Sequence, residues 1–262
     1  MYLVGLYLVI GIFTGLLTGI LGGGTGPILI PILTALLIYQ DFPSELVMRL
    51  AVGTALGIAV IAMLASMHTQ RKYMSEVKGI VAQLLPGGII GSVIGVLLAG
   101  YLSDYMFKFL FGFVVIGIAL YMIFDYRFNG TKSALPSKKK FFLLSIPMGI
   151  IATCFGVGMG PICVPLLKKF GFIISTSIAV ATFVGGIIVL FAALGFVIMG
   201  YHQASLPTYS LGYIYLPILA WIGIPSILFA RIGAKLSHIF PPEALKTLFT
   251  VFLLLIGLKM IF

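Results

Sequence analysis

Long apolar segments recur along almost the whole chain, and the charged residues lie mainly between them. The first half predicts a broken helical segment near residues 2–39, followed by helices near 46–67, 77–101 and 105–125. The second half repeats this plan, with a broken segment near 141–170 and helices near 175–200, 210–236 and 242–262. Apolar runs longer than about 18 residues are typical of transmembrane helices. The pattern therefore predicts an all-α, multi-pass membrane protein.

The two broken segments share the motif G-x-G-x-G-P-x-x-x-P, at residues 22–31 and again at residues 156–165. Closely spaced glycines weaken a helix, and a proline directly after them suits the first turn of a new helix. Each copy thus predicts a helix that stops and restarts. A bilayer tolerates such a break only inside the protein or beside a wet cavity. Matched breaks in two halves of a chain indicate the binding site of a transporter.

The repeat extends beyond this motif. Residues 51–54 (AVGT) correspond to residues 179–182 (AVAT), and Met122-Ile123-Phe124 corresponds to Met260-Ile261-Phe262. The chain therefore predicts an N-terminal transmembrane repeat at 1–125, a basic linker at 126–140 and a C-terminal transmembrane repeat at 141–262. Each repeat contains a broken segment and three further helices.

The distribution of basic residues bears on topology. If each broken segment crosses the membrane completely, the basic residues divide almost evenly between the two sides. If each is a re-entrant hairpin, one side keeps only Arg49, Lys108 and Lys259, and the other side receives the rest. The second arrangement fits the positive-inside rule and makes the halves inverted repeats. It predicts a cytoplasmic linker and both termini outside, although residues 2–21 alone are long enough to span a bilayer.

The composition supports a membrane protein, and it changes how the net positive charge is interpreted. Of 262 residues, 61% are hydrophobic and 8% are charged, against about 25% charged residues in an average soluble protein. We interpret the net charge of +10 as basic cytoplasmic loops and expect no nucleic-acid partner. The two cysteines, Cys154 and Cys163, are too few for a metal cluster, and we expect them to be buried apolar side chains.

The inverted arrangement brings the two breaks together near the middle of the bilayer. Helix N-termini carry free N–H groups and partial positive charge, so two that face one cavity would bind an anion. The predicted substrate-binding residues are Gly22, Gly24, Thr25, Gly26, Pro27, Thr54, Gly156, Gly158, Gly160, Pro161 and Thr182. Arg49 and Arg231 are candidates for an access path. A competing interpretation is that the glycines only allow helices to pack closely.

The remaining polar residues favour an anion over a cation and give no sign of catalysis. All six acidic residues fall at predicted helix ends or in loops, so no carboxylate is expected in the middle of the membrane. No zinc motif, nucleophile elbow or phosphate-binding loop is present. We predict no enzymatic activity, no metal and no cofactor.

The doubled motif resembles that of the sulfite exporter TauE/SafE family, also called the toluene-sulfonate uptake permease family. The resemblance includes the AVGT and AVAT segments and the small-residue stretches Gly91-Ser92-x-x-Gly95 and Ala230-Arg231-x-Gly233-Ala234-Lys235. It implies a secondary carrier of sulfur-containing or organic anions, such as sulfite or sulfonates, in a bacterial or archaeal inner membrane. Such carriers work without ATP and use an ion gradient, with a proton or sodium as the coupling ion.

The sequence thus predicts a carrier of small anions that works by alternating access. An anion channel and a membrane assembly subunit without transport activity are the alternatives. The identity of the anion, the direction of transport, the coupling ion and the oligomeric state stay open at this point.

Overall fold

The computed structural model describes residues 2–125, 136–201, 203, 205–237 and 242–261. Its helices are α1 (Tyr2–Leu21), α2 (Gly26–Tyr39), α3 (Ser44–Gln70), α4 (Met74–Tyr101), α5 (Asp104–Asp125), α6 (Lys138–Cys154), α7 (Gly160–Lys169), α8 (Ile174–Gly200), α9 (Leu216–Leu236) and α10 (Pro242–Ile261). A 3₁₀ turn at Arg71–Tyr73 joins α3 to α4, and two short strands, β1 (Ser210–Leu211) and β2 (Ile214–Tyr215), precede α9. Most of the predicted linker, residues 126–135, lies outside the described residues, and its last residues form the first turn of α6.

The helices present apolar side chains to their surroundings. Val9, Ile198 and Leu255 are examples of large hydrophobic residues that are 60% exposed or more. The stretches Leu3–Leu21, Ser44–Tyr101, Ile174–Gly200 and Leu216–Leu236 are long and apolar enough to cross a membrane. Soluble monomers rarely expose large contiguous apolar areas. The prediction of an all-α, multi-pass membrane protein is therefore confirmed.

Each broken segment folds back on itself as a helical hairpin. In the first hairpin, Nε2 of Gln40, after α2, donates a hydrogen bond of 2.8 Å to the hydroxyl oxygen of Tyr7 near the start of α1. In the second, the rings of Phe141 at the start of α6 and Phe170 after α7 lie 6.0 Å apart. The chain leaves each hairpin at the end of the bundle where it entered. The broken segments are therefore re-entrant and do not cross the bundle.

The two halves interlock by packing helices of one against helices of the other. α1 packs along α9, and in the same way α6 packs along α4. Gly11 lies against Ile222, and Gly19 lies against Ala230, so α1 and α9 run in the same direction. These glycines let the helix backbones approach closely, as small residues do at helix interfaces in membranes.

The central helices α3 and α8 run in opposite directions. Met63 lies against Gly185, and further along α3 the Gln70 amide meets Thr182, which precedes that glycine in α8. Glycine contacts along the helices show that α3 runs in the direction of α9, and hence of α1. In the same way, α8 runs in the direction of α4, and α4 in that of α6. Sequence counterparts in the two halves are therefore antiparallel, and the fold consists of inverted repeats.

The start of α9 differs from the prediction of a helix near 210–236. β1 and β2 form an antiparallel hairpin in which Ser210 pairs with Tyr215, and α9 begins only at Leu216. The turn between the strands contains Gly212 at φ 55°, and Pro217 occupies the first turn of α9. A left-handed glycine interrupts a helix, and proline in a first turn marks where one begins. These two residues explain why the helix is shorter than its apolar pattern suggested.

Candidate functional site

Each re-entrant hairpin turns through an irregular segment, which we call tip 1 for residues 22–25 and tip 2 for residues 155–159. In tip 1, the φ angles of Gly22, Gly23 and Gly24 are 69°, 95° and 102°. In tip 2, Gly156 and Gly158 have φ angles of 59° and 77°. L side chains strongly disfavour this left-handed region. The glycines of the two tips thus allow the chain to turn inside the protein.

A new helix begins directly after each tip, α2 at Gly26 and α7 at Gly160, with a proline in its first turn. Within the described part of the chain, no backbone hydrogen bond is made by the N–H groups of Gly24, Thr25 and Gly26, or by those of Met159 and Gly160. Unpaired N–H groups at a helix start carry about half a positive charge. Both tips therefore present backbone donors to the interior of the bundle.

The two tips touch each other directly. A methyl group on Gly26 would overlap the carbonyl oxygen of Gly156, and one on Gly160 would overlap that of Gly23. The ring of Pro161 packs in the same way on Gly24. All of these residues are buried. The glycines and prolines predicted to bind substrate are therefore brought together, in a conformation in which the tips are closed on one another.

Two predicted threonines lie at tip 1. The hydroxyl groups of Thr25 and Thr18 are 2.9 Å apart and form a hydrogen bond inside the first hairpin. Thr182 donates to the carbonyl oxygen of Ile178 at 2.9 Å, and a methyl group on Gly22 would lie 3.2 Å from its Oγ1. Thr182, a residue of α8, therefore lies against tip 1.

Two further polar residues beside tip 1 are not among the predicted site residues. Nε2 of Gln70 donates to Oγ1 of Thr182 at 3.3 Å, and Ser66 lies one turn earlier on α3. Both side chains are fully buried. The prediction ended this helix near residue 67, which left Gln70 in a loop. Two polar residues four positions apart lie on the same face of a helix. This spacing near the end of an apolar helix is the sequence signal that could have indicated Ser66 and Gln70.

Thr54, in contrast, bonds to the β-hairpin. Its Oγ1 accepts a hydrogen bond of 3.0 Å from the N–H of Tyr215, the last residue of β2. The β-hairpin also packs on α8, where the Tyr213 N–H donates to the carbonyl oxygen of Phe196 at 3.2 Å. Thr54 therefore helps to hold the hairpin between α3 and α8.

The two candidate access-path residues lie in different environments. Arg49 is half-buried near the start of α3, and its Nη2 donates to the carbonyl oxygen of Leu102 at 3.0 Å. Arg231 is exposed in the second half of α9. Arg49 therefore connects α3 to the turn after α4, whereas Arg231 lies on the outer surface of the bundle.

The described residues contain no group of three His, Cys, Asp or Glu side chains that could hold a metal ion. Cys154 and Cys163 are buried free thiols on either side of tip 2, as predicted. Asp41, Glu45 and Glu76 are exposed near helix ends. Among the described residues, the polar groups around the tips are backbone groups, hydroxyls and one amide.

Comparisons with known proteins agree with this architecture. The sequence profile of the family described as "Sulfite exporter TauE/SafE" matches residues 7–260. A relative from Haemophilus influenzae, named "Probable membrane transporter protein", is 30% identical over 222 residues, which cover 84% of this chain and 83% of the relative. A Methanocaldococcus jannaschii protein, also named a probable membrane transporter, is 26% identical over 149 residues, covering 56% of this chain and 54% of that protein.

No solved structure matches this chain. The names of the relatives are compatible with the expectation that the protein is not an enzyme. The family profile covers both hairpins and nearly all of the helices that pack around them. From this match, the chain belongs to the sulfite exporter TauE/SafE family and is a multi-pass membrane transporter.

Proposed function

We propose that this protein is a secondary carrier of small sulfur-containing or organic anions, such as sulfite or sulfonates, which binds its substrate between the two hairpin tips. The observation that carries this proposal is the meeting of two helix N-termini in the buried centre of an inverted repeat. Backbone N–H groups and the partial positive charge of the helix start favour an anion there. The family description, which names sulfite, supports the substrate class.

The sign of the charge around the tips agrees with an anion. A carrier that bound a cation in the same place through side chains would need carboxylates near the centre of the membrane. The described carboxylates lie near helix ends, and Asp104 and Asp125 are the terminal residues of α5. The donors that remain at the tips are backbone N–H groups and, once it leaves Thr18, the hydroxyl group of Thr25.

Alternating access explains why the tips are closed. Because the backbones touch at Gly26 and Gly156, an anion enters only when the hairpins move apart. Inverted repeats allow this movement from either side of the membrane, since each half can adopt the conformation of the other. In the proposed orientation, the linker is cytoplasmic, both chain ends are outside, and a proton or sodium gradient drives transport across the inner membrane.

The roles that we propose differ among the predicted residues. Gly22, Gly24, Gly26, Gly156, Gly158 and Gly160 allow close approach of the anion, and Pro27 and Pro161 begin the helices that attract it. Thr25 contributes a hydroxyl group, and Thr182 lines the site beside Gly22 of tip 1. We assign Thr54 to holding the β-hairpin in place, because its hydroxyl oxygen accepts the Tyr215 N–H.

Anion binding by the purified protein tests the proposal. Sulfite, sulfate, sulfoacetate, acetate and chloride at equal ionic strength are compared for their effect on the unfolding temperature. A ligand at about 100 times its dissociation constant stabilises a protein by about 2.7 kcal/mol. We expect selective stabilisation by a sulfur oxyanion, and no stabilisation by any of these anions would contradict an anion site.

A matched pair of variants examines tip 1. Thr25→Val removes a hydroxyl at the tip, whereas Thr34→Val removes one that donates to Ile30 within the same hairpin at 2.8 Å. We expect only Thr25→Val to weaken anion binding. Saturable counterflow in proteoliposomes separates a carrier from a channel, and binding without any flux would indicate a subunit of a larger assembly.

A further inference from the structure

Two fully buried polar atoms next to tip 1 have no hydrogen-bond partner among the residues that the structure describes. They are Oε1 of Gln70 and Oγ of Ser66. Buried polar side chains are nearly always hydrogen-bonded, and an unsatisfied group in the interior destabilises the folded protein. Two such atoms on one helix, beside the proposed binding site, therefore require an explanation.

The orientation of the Gln70 amide follows from its neighbour. Thr182 donates its hydroxyl hydrogen to the Ile178 carbonyl oxygen, so its Oγ1 can only accept from Gln70. The NH₂ group of Gln70 must therefore point at Thr182, and the carbonyl end of the amide must point away from it. An unsatisfied carbonyl oxygen accepts hydrogen bonds and cannot donate, so the group that completes this site must be a donor.

Ser66 lies on the same side of α3 as Gln70, because residues four positions apart are neighbours on a helix surface. Met63, three residues before Ser66, lies against Gly23 of tip 1 and Gly185 of α8. The hydroxyl group of Ser66 can both donate and accept a hydrogen bond. Ser66 and Gln70 therefore offer a mixed polar surface, which differs from the N–H groups of the tips.

The contact with tip 1 is short. A methyl group on Gly22 would lie 3.2 Å from Oγ1 of Thr182, and Nε2 of Gln70 lies 3.3 Å from the same oxygen atom. One side chain thus separates Gln70 from the tip backbone. Gln70 therefore lies in the layer of side chains directly behind the backbone of tip 1.

We propose that Gln70 and Ser66 form a subsite that selects anions carrying a hydroxyl or amino group close to the anionic head. This inference rests on the proposed function, because the anionic oxygens are bound by the tips. The hydroxyl or amino group donates to Oε1 of Gln70, and Ser66 completes the hydrogen bonding of that group. Anions of the same size without such a donor leave Gln70 unsatisfied and bind more weakly.

Three sulfonates of similar size test the subsite: ethanesulfonate, 2-hydroxyethanesulfonate and 2-aminoethanesulfonate. Dissociation constants are measured by calorimetry for the wild-type protein, Gln70→Met, Ser66→Ala and the control Gln83→Met, which changes a half-buried glutamine of α4. We expect the wild type to prefer a donor-bearing sulfonate over ethanesulfonate by about fivefold, the factor that one net hydrogen bond gives. The comparison of the hydroxyl and amino forms decides which donor the site takes.

Gln70→Met should abolish this preference, and Gln83→Met should retain it. Ser66→Ala should reduce the preference and provides a second test if Gln70→Met does not fold. Equal binding of all three sulfonates by the wild type, or a preference that survives Gln70→Met and Ser66→Ala, would overturn the subsite while leaving the tip site intact. If the wild type bound neither these sulfonates nor any anion of the earlier panel, both proposals would fail together.

Discussion

A methyl group on Gly26 would overlap the carbonyl oxygen of Gly156, so the two hairpin tips meet backbone to backbone. This contact joins the start of α2 to the turn after α6. The halves of the protein are therefore in contact at the position where we propose that the anion binds. In the proposed mechanism, the binding site opens when these backbone atoms separate.

Gly26→Ala should lower the unfolding temperature of the detergent-purified protein by several degrees. The added methyl group must push two backbones apart, and overpacking of this kind costs about 1–3 kcal/mol. Gly117→Ala is the matched control, because Gly117 is exposed in α5 and no neighbouring atom lies within 4 Å of the new methyl group. We expect that variant to be neutral or slightly stabilised, since alanine favours a helix. Equal unfolding temperatures for the two variants would contradict the contact between the tips.

Asp41→Gly should stabilise the protein by about 0.5–1 kcal/mol. Asp41 follows α2 with φ 56°, and its counterpart Gly171 follows α7 with φ 85°. The next residue in each case is a phenylalanine. The N–H of Phe42 donates to the carbonyl oxygen of Leu37 in α2, and the N–H of Phe172 donates to that of Leu167 in α7. Glycine reaches the left-handed region at lower cost than aspartate. Gly171→Ala should destabilise the protein by about 1–2 kcal/mol, because alanine disfavours the left-handed region. The unfolding temperatures of both variants test whether α2 and α7 end in the same left-handed turn.

Ser92 and Thr153 should show coupled effects on stability. Thr153 on α6 donates to Oγ of Ser92 on α4 at 3.0 Å, and Ser92 donates to the carbonyl oxygen of Ile188 on α8 at 3.3 Å. Hydrogen bonds between membrane helices contribute about 0.6 kcal/mol on average and up to about 1.7. A double-mutant cycle with Ser92→Ala and Thr153→Val should give a coupling energy in this range. Additive effects would indicate that the two hydroxyl groups act independently.

Thr54→Val should loosen the β-hairpin while anion affinity stays within about twofold of wild type. The substitution keeps the shape of the side chain and removes the acceptor of the Tyr215 N–H. Leaving a part-buried N–H without its partner costs about 1–3 kcal/mol. Hydrogen exchange of the 209–216 segment should therefore be faster in Thr54→Val and unchanged in Thr54→Ser, which keeps the acceptor. If Thr54→Val instead weakened anion binding strongly at unchanged exchange rates, Thr54 would belong to the binding site.

Single cysteines should report the re-entrant topology in intact cells. Asp41 and Tyr209 are exposed at the end of the bundle where the Phe42 and Tyr215 rings lie 5.2 Å apart, whereas Lys72 and Lys169 are exposed at the opposite end. We expect an impermeant maleimide to label Asp41→Cys and Tyr209→Cys directly, and Lys72→Cys and Lys169→Cys only after permeabilisation. The native Cys154 and Cys163 are buried and should give little background. Labelling of Asp41→Cys and Tyr209→Cys from different sides would contradict the hairpins, whereas a complete reversal would only invert the proposed orientation.

Much of the architecture follows from the sequence alone. The apolar segments specify membrane helices because a bilayer requires every spanning backbone group to be bonded within its own helix. The repeated glycines and prolines specify two broken helices, because only glycine turns easily through left-handed angles and proline begins a helix without a donor. Charge asymmetry favoured re-entrant hairpins, and the bond between Gln40 and Tyr7 agrees with that preference.

The partners of individual side chains were decided only by tertiary packing. Thr54 and Thr182 occupy equivalent positions in the repeat, yet one bonds to a β-hairpin and the other to Gln70. The sequence could not distinguish them, because each partner comes from a different and distant helix or turn. Gln70 and Ser66 were missed for the same reason: local periodicity predicts which segments are helical, but which polar atoms stay unsatisfied depends on how α3, α8 and the first hairpin pack together.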